Sequence, residues 1–160
     1  MKKLSFILAL ALSLSLLGGC APKNKVELPL GQLTSDSKTY TYWNQDVERQ
    51  YYYYIPSTYQ AGDKLPLMLA LHGSGSNALS QLYESNMEEL AEQEGFILIA
   101  PNSVAIHADG TLSSKGNTLS TIGRSDMSYL RWNATPDDPQ NMYEVDDVQY
   151  LCDLIDMFVG

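Results

Sequence analysis

The stretch LPLMLALHGSGSNALSQLYESNMEELAEQEGFILIAP, residues 65–101, decides the fold. It opens with LPLMLALHG, residues 65–73, a continuous apolar run of the kind found in strands buried on both faces. Residues 79–94 carry apolar side chains at helical spacing, and Gly95 stands where a glycine commonly ends a helix. FILIAP, residues 96–101, is a second apolar strand. This order predicts a βαβ unit with parallel strands joined by a right-handed crossover.

Two β-prone segments precede this unit. They are YTYWNQ, residues 40–45, and ERQYYYYIP, residues 48–56, and a short polar turn separates them. The tyrosines Tyr51–Tyr54 alternate between the two faces of a strand, which suits a sheet packed on both sides. The two segments therefore predict an antiparallel hairpin ahead of the βαβ unit, and the fold class is α/β.

The segment after the βαβ unit changes in character. Residues 102–141 are rich in Ser, Asn, Asp, Gly and Thr without a clear period, which is typical of a functional loop or lid. Residues 143–160 then resume helical periodicity, with Asp146 and Asp147 in the first turn as complements of the helix dipole. Cys152, inside this helix, is interpreted as a small core residue.

The N-terminus has the features of an export signal. Residues 1–19 combine a lysine-bearing start with an apolar run too short for a comfortable membrane span, and small residues precede Cys20. This arrangement resembles a bacterial lipobox, so we expect Cys20 to be lipidated and the protein to be exported, anchored to a bacterial membrane or extracellular. Residues 20–39 are interpreted as a tether, and residues 40–160 as the folded part.

The acidic composition excludes several classes of partner. The formal net charge of the chain is −9, and the expected signal peptide would remove lysines but no acids. Such a charge disfavours nucleic acid and anionic lipid surfaces as partners. With Cys20 lipidated, Cys152 stands alone, so neither a disulfide framework nor a cysteine metal site is expected. No metal or cofactor is predicted.

The loop His72-Gly73-Ser74-Gly75 is the main candidate site. Gly73, Gly75 and Ala78 satisfy the dinucleotide pattern G-x-G-x-x-[GA] between a strand and a helix. That pattern also needs an acid at the end of the next strand to hold the ribose, and Asn102 follows there instead. A dinucleotide site is therefore disfavoured, although a thermal shift with a nicotinamide cofactor would test it.

An oxyanion loop is the favoured interpretation. Ester hydrolysis through a serine generates a tetrahedral oxyanion that needs preorganised backbone N–H donors. In α/β-hydrolases one donor comes from the loop after strand β3, where glycines let the backbone approach the substrate. Gly73 and Gly75 would supply the freedom, the N–H of Ser74 would be the donor, and His72 would bond loop backbone rather than act as base. A tight turn without any ligand remains the alternative.

Four segments carry a family resemblance in the same order. Residues 65–78, 94–102 and 145–156 resemble landmarks of the secreted esterase group of the α/β-hydrolase superfamily that includes polyhydroxybutyrate depolymerases and feruloyl esterases. Residues 48–66 resemble the opening strand of those proteins, so the resemblance covers about residues 40–158. It implies a doubly wound α/β-hydrolase fold and hydrolysis of a carboxylic ester, such as a polyester or a feruloylated or acetylated polysaccharide, through a Ser-His-Asp triad.

The chain departs from this family at the catalytic residues. No Gly-x-Ser-x-Gly nucleophile elbow occurs, and the only histidines, His72 and His107, precede any position the family would use for a nucleophile. We therefore expect an N-terminal portion of a longer esterase, with none of the triad present. Alone it is expected neither to fold stably nor to hydrolyse esters, because an apolar strand would be left at the sheet edge.

Two further possibilities stay open. Trp132, in the polar segment, is expected either to contact substrate or to cap the hydrophobic core. The chain itself is alternatively a non-catalytic surface lipoprotein, with its tyrosine-rich strands and long loop binding carbohydrate or protein.

Overall fold

The computed structural model describes residues 28–107, 110–114, 130–133 and 144–159. The expected signal peptide, residues 1–19, and the expected lipidation site Cys20 lie outside these ranges. The strands are β1 (Thr34–Tyr42), β2 (Gln45–Tyr54), β3 (Leu67–Leu69), β4 (Ile97–Pro101), β5 (Ala105–Ile106) and β6 (Leu112–Ser113). The helices are α1 (Ala78–Ser85), α2 (Met87–Glu94) and α3 (Asp147–Val159). No helix in the described ranges combines the length and apolar composition that a membrane crossing needs.

The predicted hairpin is present as β1 and β2. The two strands pair antiparallel, from Thr34 opposite Tyr53 to Tyr42 opposite Gln45. The turn between them consists of Trp43 and Asn44, whose φ angles are 46° and 59°. Positive φ at both central positions favours the two-residue turn whose twist matches that of paired strands. Because β1 begins at Thr34, it extends into the range expected to be a tether, residues 20–39.

The main sheet is mixed, with the strand order β1-β2-β4-β3. β2 pairs antiparallel with β4, and β3 pairs parallel with β4, with Leu67 opposite Ile97. The predicted parallel βαβ unit is therefore confirmed, and the chain is of the α/β class. β4 lies inside the sheet, whereas β3 lies at its edge.

The helical segment of the βαβ unit is divided in two, where the sequence pattern predicted one helix over 79–94. Asn86 separates α1 from α2 with a left-handed φ of 50°, and its N–H bonds to the carbonyl of Leu82. Asparagine is among the non-glycine residues that tolerate this conformation best. α2 then ends at Gly95, also left-handed at φ 72°, as predicted.

Helices cover both faces of the sheet. Leu98 and Ala100 of β4 belong to a buried cluster with residues of α1 and α2. Ile97 and Ile99, which alternate with them, pack instead with Tyr150 and Leu154 of α3. Since successive side chains of a strand point to opposite faces, α3 lies on the face opposite α1 and α2.

Two expectations for the later part of the chain need correction. Residues 102–141 were expected to lack regular structure, but β5 and β6 pair antiparallel within them, and Val104 forms an isolated bridge with Arg131. Cys152 was expected in the core and is exposed. α3 turns Tyr150 and Leu154 toward the sheet, and this leaves Cys152 on another side of the helix.

Candidate functional site

The candidate site lies at the carboxyl ends of β3 and β4. These strands are parallel, so both carboxyl ends meet at the same edge of the sheet. His72–Gly75 follows β3, and Asn102 and Ser103 follow β4. In open α/β sheets, ligands bind outside the carboxyl ends of the strands. The structure therefore places the predicted oxyanion loop on the edge where a ligand site is expected.

The loop between β3 and α1 is held by two backbone hydrogen bonds, and its tip is exposed to solvent. The N–H of Gly75 donates to the carbonyl of Leu130 at 3.0 Å, and the N–H of Ser76 donates to the carbonyl of Gly73 at 3.1 Å. Gly73, Ser74 and Gly75 are exposed. Among the described residues, none accepts a hydrogen bond from the N–H of Ser74. This donor is thus available to a ligand.

Only one of the two loop glycines is required by backbone conformation. Gly75 has a φ of 78°, in the left-handed region that strongly favours glycine. Gly73 has no positive φ, and a Cβ atom built on it would meet nothing within 4 Å. The expected conformational freedom is therefore used at Gly75 and not at Gly73.

His72 is buried and uses both ring nitrogens on backbone groups. Its side chain is 2% exposed, with Nδ1 at 2.7 Å from the carbonyl oxygen of Gly73 and Nε2 at 3.1 Å from the N–H of Ser103. A carbonyl can only accept and an N–H can only donate, so Nδ1 carries the proton and Nε2 is the acceptor. The imidazole bonds the loop backbone, as predicted. Nε2 also lies 3.1 Å from the hydroxyl oxygen of buried Ser103, so both nitrogens already have partners within the protein.

Burial lowers the pKa of His72 below its ordinary value of 6.5, although the hydrogen bond to Gly73 and the charge of Asp147 act in the opposite direction. The unfolded chain therefore binds this proton more readily. We expect the free energy of unfolding to fall as the pH drops from about 6.5, by up to about 1.4 kcal/mol per pH unit. Urea titrations between pH 5 and pH 7.5 measure this slope.

The variant His72→Gln should lose this part of the pH dependence, because no group at that position then titrates. An unchanged slope in His72→Gln would contradict the role assigned to the buried imidazole.

Trp132 connects the loop to the hydrophobic core. Its Nε1–H donates to the carbonyl of His72 at 2.9 Å, and the two rings lie 5.2 Å apart. The half-buried indole also packs against the core cluster between the sheet and α3. Since its polar group is already bonded to the loop, the position of Trp132 agrees with core capping; substrate contact by this residue stays a prediction.

The side chain of Asn102 connects β4 to the start of α1. Its Oδ1 accepts a hydrogen bond from the N–H of Ala78 at 2.7 Å. Asn77, the residue before α1, accepts from the N–H of Ser80 at 3.0 Å and caps the helix. Both contacts satisfy first-turn N–H groups, which have no partner within the helix. They hold the helical end of the loop against the sheet.

A buried ion pair joins β2 to α3. Arg49 is fully buried, and one of its terminal nitrogens is 2.6 Å from Oδ1 of Asp147, which is also buried. This approach lacks the alignment of a hydrogen bond and is a contact between charges. The guanidinium also lies 3.8 Å from the centre of the Tyr150 ring. Such stacking lowers the cost of burying an arginine.

Polar atoms on either side complete the surroundings of the pair. Arg49 donates to the hydroxyl of Tyr42 at 3.2 Å and to the carbonyl of Asn102 at 3.3 Å. Oδ2 of Asp147 accepts from the N–H of Asn133 at 2.6 Å. Within the part of the chain that the structure describes, Nε of Arg49 has no hydrogen-bond partner.

Sequence reasoning did not identify this pair. Asp147 was interpreted as a complement of the helix dipole, and it does stand in the first turn of α3. Arg49 was noted only within a family landmark. The signal that could have identified it is strand parity: on β2, Arg49 shares a face with Tyr51, and both are buried. A charged residue on the inward face of a strand needs a buried counter-charge.

The buried tyrosines bear on the alternative of a tyrosine-rich contact surface. Tyr42, Tyr51 and Tyr54 of the opening hairpin are 5%, 1% and 8% exposed and form part of the core. They are therefore not available to a carbohydrate or a protein partner. Among the residues that the structure describes, no group of His, Cys, Asp and Glu could hold a metal ion.

A comparison with models of known protein families finds no match, and a comparison with curated proteins finds no significantly similar sequence.

Proposed function

We propose that this chain carries the oxyanion loop of a carboxylic ester hydrolase that works through a serine nucleophile. In this role the N–H of Ser74 donates to the oxyanion of the tetrahedral intermediate. The observation that carries the proposal is this exposed donor, which has no partner among the described residues and sits in a loop anchored by Leu130 and Trp132. A donor held in place before the reaction stabilises developing charge without reorganisation.

The position of the loop supports the same role. It follows a parallel strand and precedes a helix, which is the context in which α/β-hydrolases place one oxyanion donor. His72, whose nitrogens contact the carbonyl of Gly73 and both the N–H and the hydroxyl of buried Ser103, supports the loop and leaves the part of general base to another residue. We assign the nucleophile, its base and its acid to residues other than those of this loop.

Reading the gene beyond the codon for Gly160 tests the proposal most directly. We expect an in-frame or frameshifted segment that encodes Gly-x-Ser-x-Gly, followed by an acid and a histidine, the chain order of α/β-hydrolase triads. Coding sequence without this pattern would overturn the proposal.

The protein encoded by that longer reading frame allows the donor itself to be tested. Ser74→Pro removes the N–H and should lower kcat for a p-nitrophenyl ester by about 10²–10³, the usual effect of losing one oxyanion donor. Ser74→Ala keeps the N–H and should retain activity within a few-fold. Equal losses in both variants would point to the hydroxyl of Ser74 rather than its N–H.

A further inference from the structure

We infer that the buried Arg49–Asp147 pair is a positioning element for the loop between β3 and α1. The pair closes a ring of contacts that joins the sheet, the loop and the start of α3. Its members, in order, are Arg49, Asp147, Asn133, Trp132, His72, Ser103 and Asn102. Its relevance to an oxyanion rests on the function proposed above, whereas its effect on the loop conformation does not.

One branch of the ring runs from Asp147 to the loop through residues 130–133. Oδ2 of Asp147 accepts from the N–H of Asn133 at 2.6 Å. The preceding residue, Trp132, donates through Nε1 to the carbonyl of His72 at 2.9 Å. The carboxylate at the start of α3 is therefore one of the groups that hold this segment and its indole against the loop, beside the carbonyls of Val104 and Val145.

The second branch runs from Arg49 to the same histidine through the end of β4. Arg49 donates to the carbonyl of Asn102 at 3.3 Å. The next residue, Ser103, donates its N–H to Nε2 of His72 at 3.1 Å. The two branches thus meet at His72, the first residue of the loop: one reaches its backbone carbonyl and the other reaches its imidazole.

The charge contact is the link on which both branches depend. Arg49 and Asp147 are 0% and 7% exposed, so little water screens their attraction. Removing the charge of one partner would leave the other buried without compensation and free to move toward water. The other links in each branch are hydrogen bonds with at most one charged partner, among them a second bond from Nδ2 of Asn133 to the carbonyl of Val145 at 3.0 Å, so the charge contact is the part of the ring that a single substitution changes most.

The chain offers a matched control in the pair between Lys38 and Asp153. This contact is also 2.6 Å long and also joins the sheet to α3, but its side chains are 40% and 21% exposed. Asp153 accepts from Tyr40 and Gln149, and none of these residues belongs to the ring. Asp153→Asn therefore removes a charge from α3 without touching the loop.

Amide hydrogen exchange followed by NMR tests the inference on the purified protein. Asp147→Asn keeps an oxygen that can accept from Asn133 but removes the charge. We expect exchange to accelerate by about tenfold or more at the N–H of Gly75 and the Nε1–H of Trp132, because both bonds hold the loop. The N–H of Ala70, which bonds to Ile99 in the sheet, should exchange at the wild-type rate. Asp153→Asn should change none of these rates.

Three outcomes would overturn the inference. Equal acceleration at the loop and at Ala70 would show that the pair stabilises the whole fold, and unchanged exchange at Gly75 and Trp132 would show that the loop does not depend on it. The single variant Arg49→Lys keeps the charge, so its loop exchange should be closer to the wild-type rate than that of Asp147→Asn. If Asp147→Asn and Arg49→Lys both unfold, the pair is a stabilising element only, and the inference fails.

The ¹⁵N chemical shifts of His72 give a second measurement that loss of stability alone would not move. In the wild type, Nε2 should show the shift of an unprotonated acceptor. In folded Asp147→Asn we expect a mixture of tautomers, because an Arg49 side chain without its counter-charge holds the carbonyl of Asn102, and with it the N–H of Ser103, less firmly. Neither measurement needs an ester, so a gene without a downstream nucleophile would end the proposed function and leave this inference standing.

Discussion

Arg49→Ala is expected to lower the free energy of unfolding by about 3–5 kcal/mol, the usual cost of leaving a buried charge without its partner. The remaining carboxylate of Asp147 is 7% exposed and cannot recover its hydration without moving. The substitution also removes the group that stacks on Tyr150 at 3.8 Å and the donor to Asn102. Urea unfolding followed by tryptophan fluorescence measures the loss.

Lys38→Ala is the control for Arg49→Ala, because it breaks the other ion pair between the sheet and α3. The side chain of Lys38 is 40% exposed, and exposed pairs contribute about 0–1 kcal/mol. Equal losses of unfolding free energy in the two variants would contradict the expectation that breaking the buried pair costs more than breaking the exposed one. A wild-type protein without a cooperative transition would contradict it as well, and would agree with the instability expected from the sequence.

The double variant Arg49→Met/Asp147→Leu should recover much of what Arg49→Ala loses, because replacing both charges by apolar side chains leaves none uncompensated. This variant also separates stability from loop positioning. We expect it to unfold near the wild-type urea concentration while the loop, without its anchored ring of contacts, still exchanges rapidly.

Leu98→Ala is expected to have the second large effect, a loss of about 2–5 kcal/mol in the free energy of unfolding. Leu98 is 0% exposed in β4, inside the sheet, and belongs to the cluster with Tyr54 and Leu82. Truncation removes apolar contacts and leaves a cavity that β2, β3 and α1 cannot close without leaving their own positions. Thermal and urea unfolding both measure this loss.

Met68→Ala provides the comparison for Leu98→Ala. Met68 is the register partner of Leu98 on β3 and points to the same face, but it is 38% exposed at the edge of the sheet. The loss should be clearly smaller, since part of the side chain is already in water. A loss as large as that of Leu98→Ala would mean that the edge strand is covered in solution.

Local patterns predicted much of the fold. Apolar runs at strand length located β3 and β4, and Gly95 marked the end of the helical segment, because these signals depend on neighbours along the chain. The same patterns missed the break at Asn86, because the apolar spacing continues across it. Whether a single residue there turns left-handed depends on how both short helices pack.

The candidate site could be predicted only where its contacts are local. The sequence indicated the loop at His72–Gly75 and the backbone-bonding role of His72, since both follow from a glycine-containing turn after a strand. It did not reveal Leu130 or Trp132 as anchors of that loop. Those contacts join residues about sixty positions apart, and no periodicity relates them.

The sequence by itself therefore determined the α/β class, the hairpin, the parallel βαβ unit and the loop after β3, because each is a short-range pattern of apolar spacing and turn residues. Only the tertiary structure decided that β4 lies between β2 and β3, that Cys152 is exposed, and that Arg49 meets Asp147. Strand order and ion pairing depend on which faces of the elements pack together. A hydrophobic pattern shows which face of an element is buried, but not which other element packs against it.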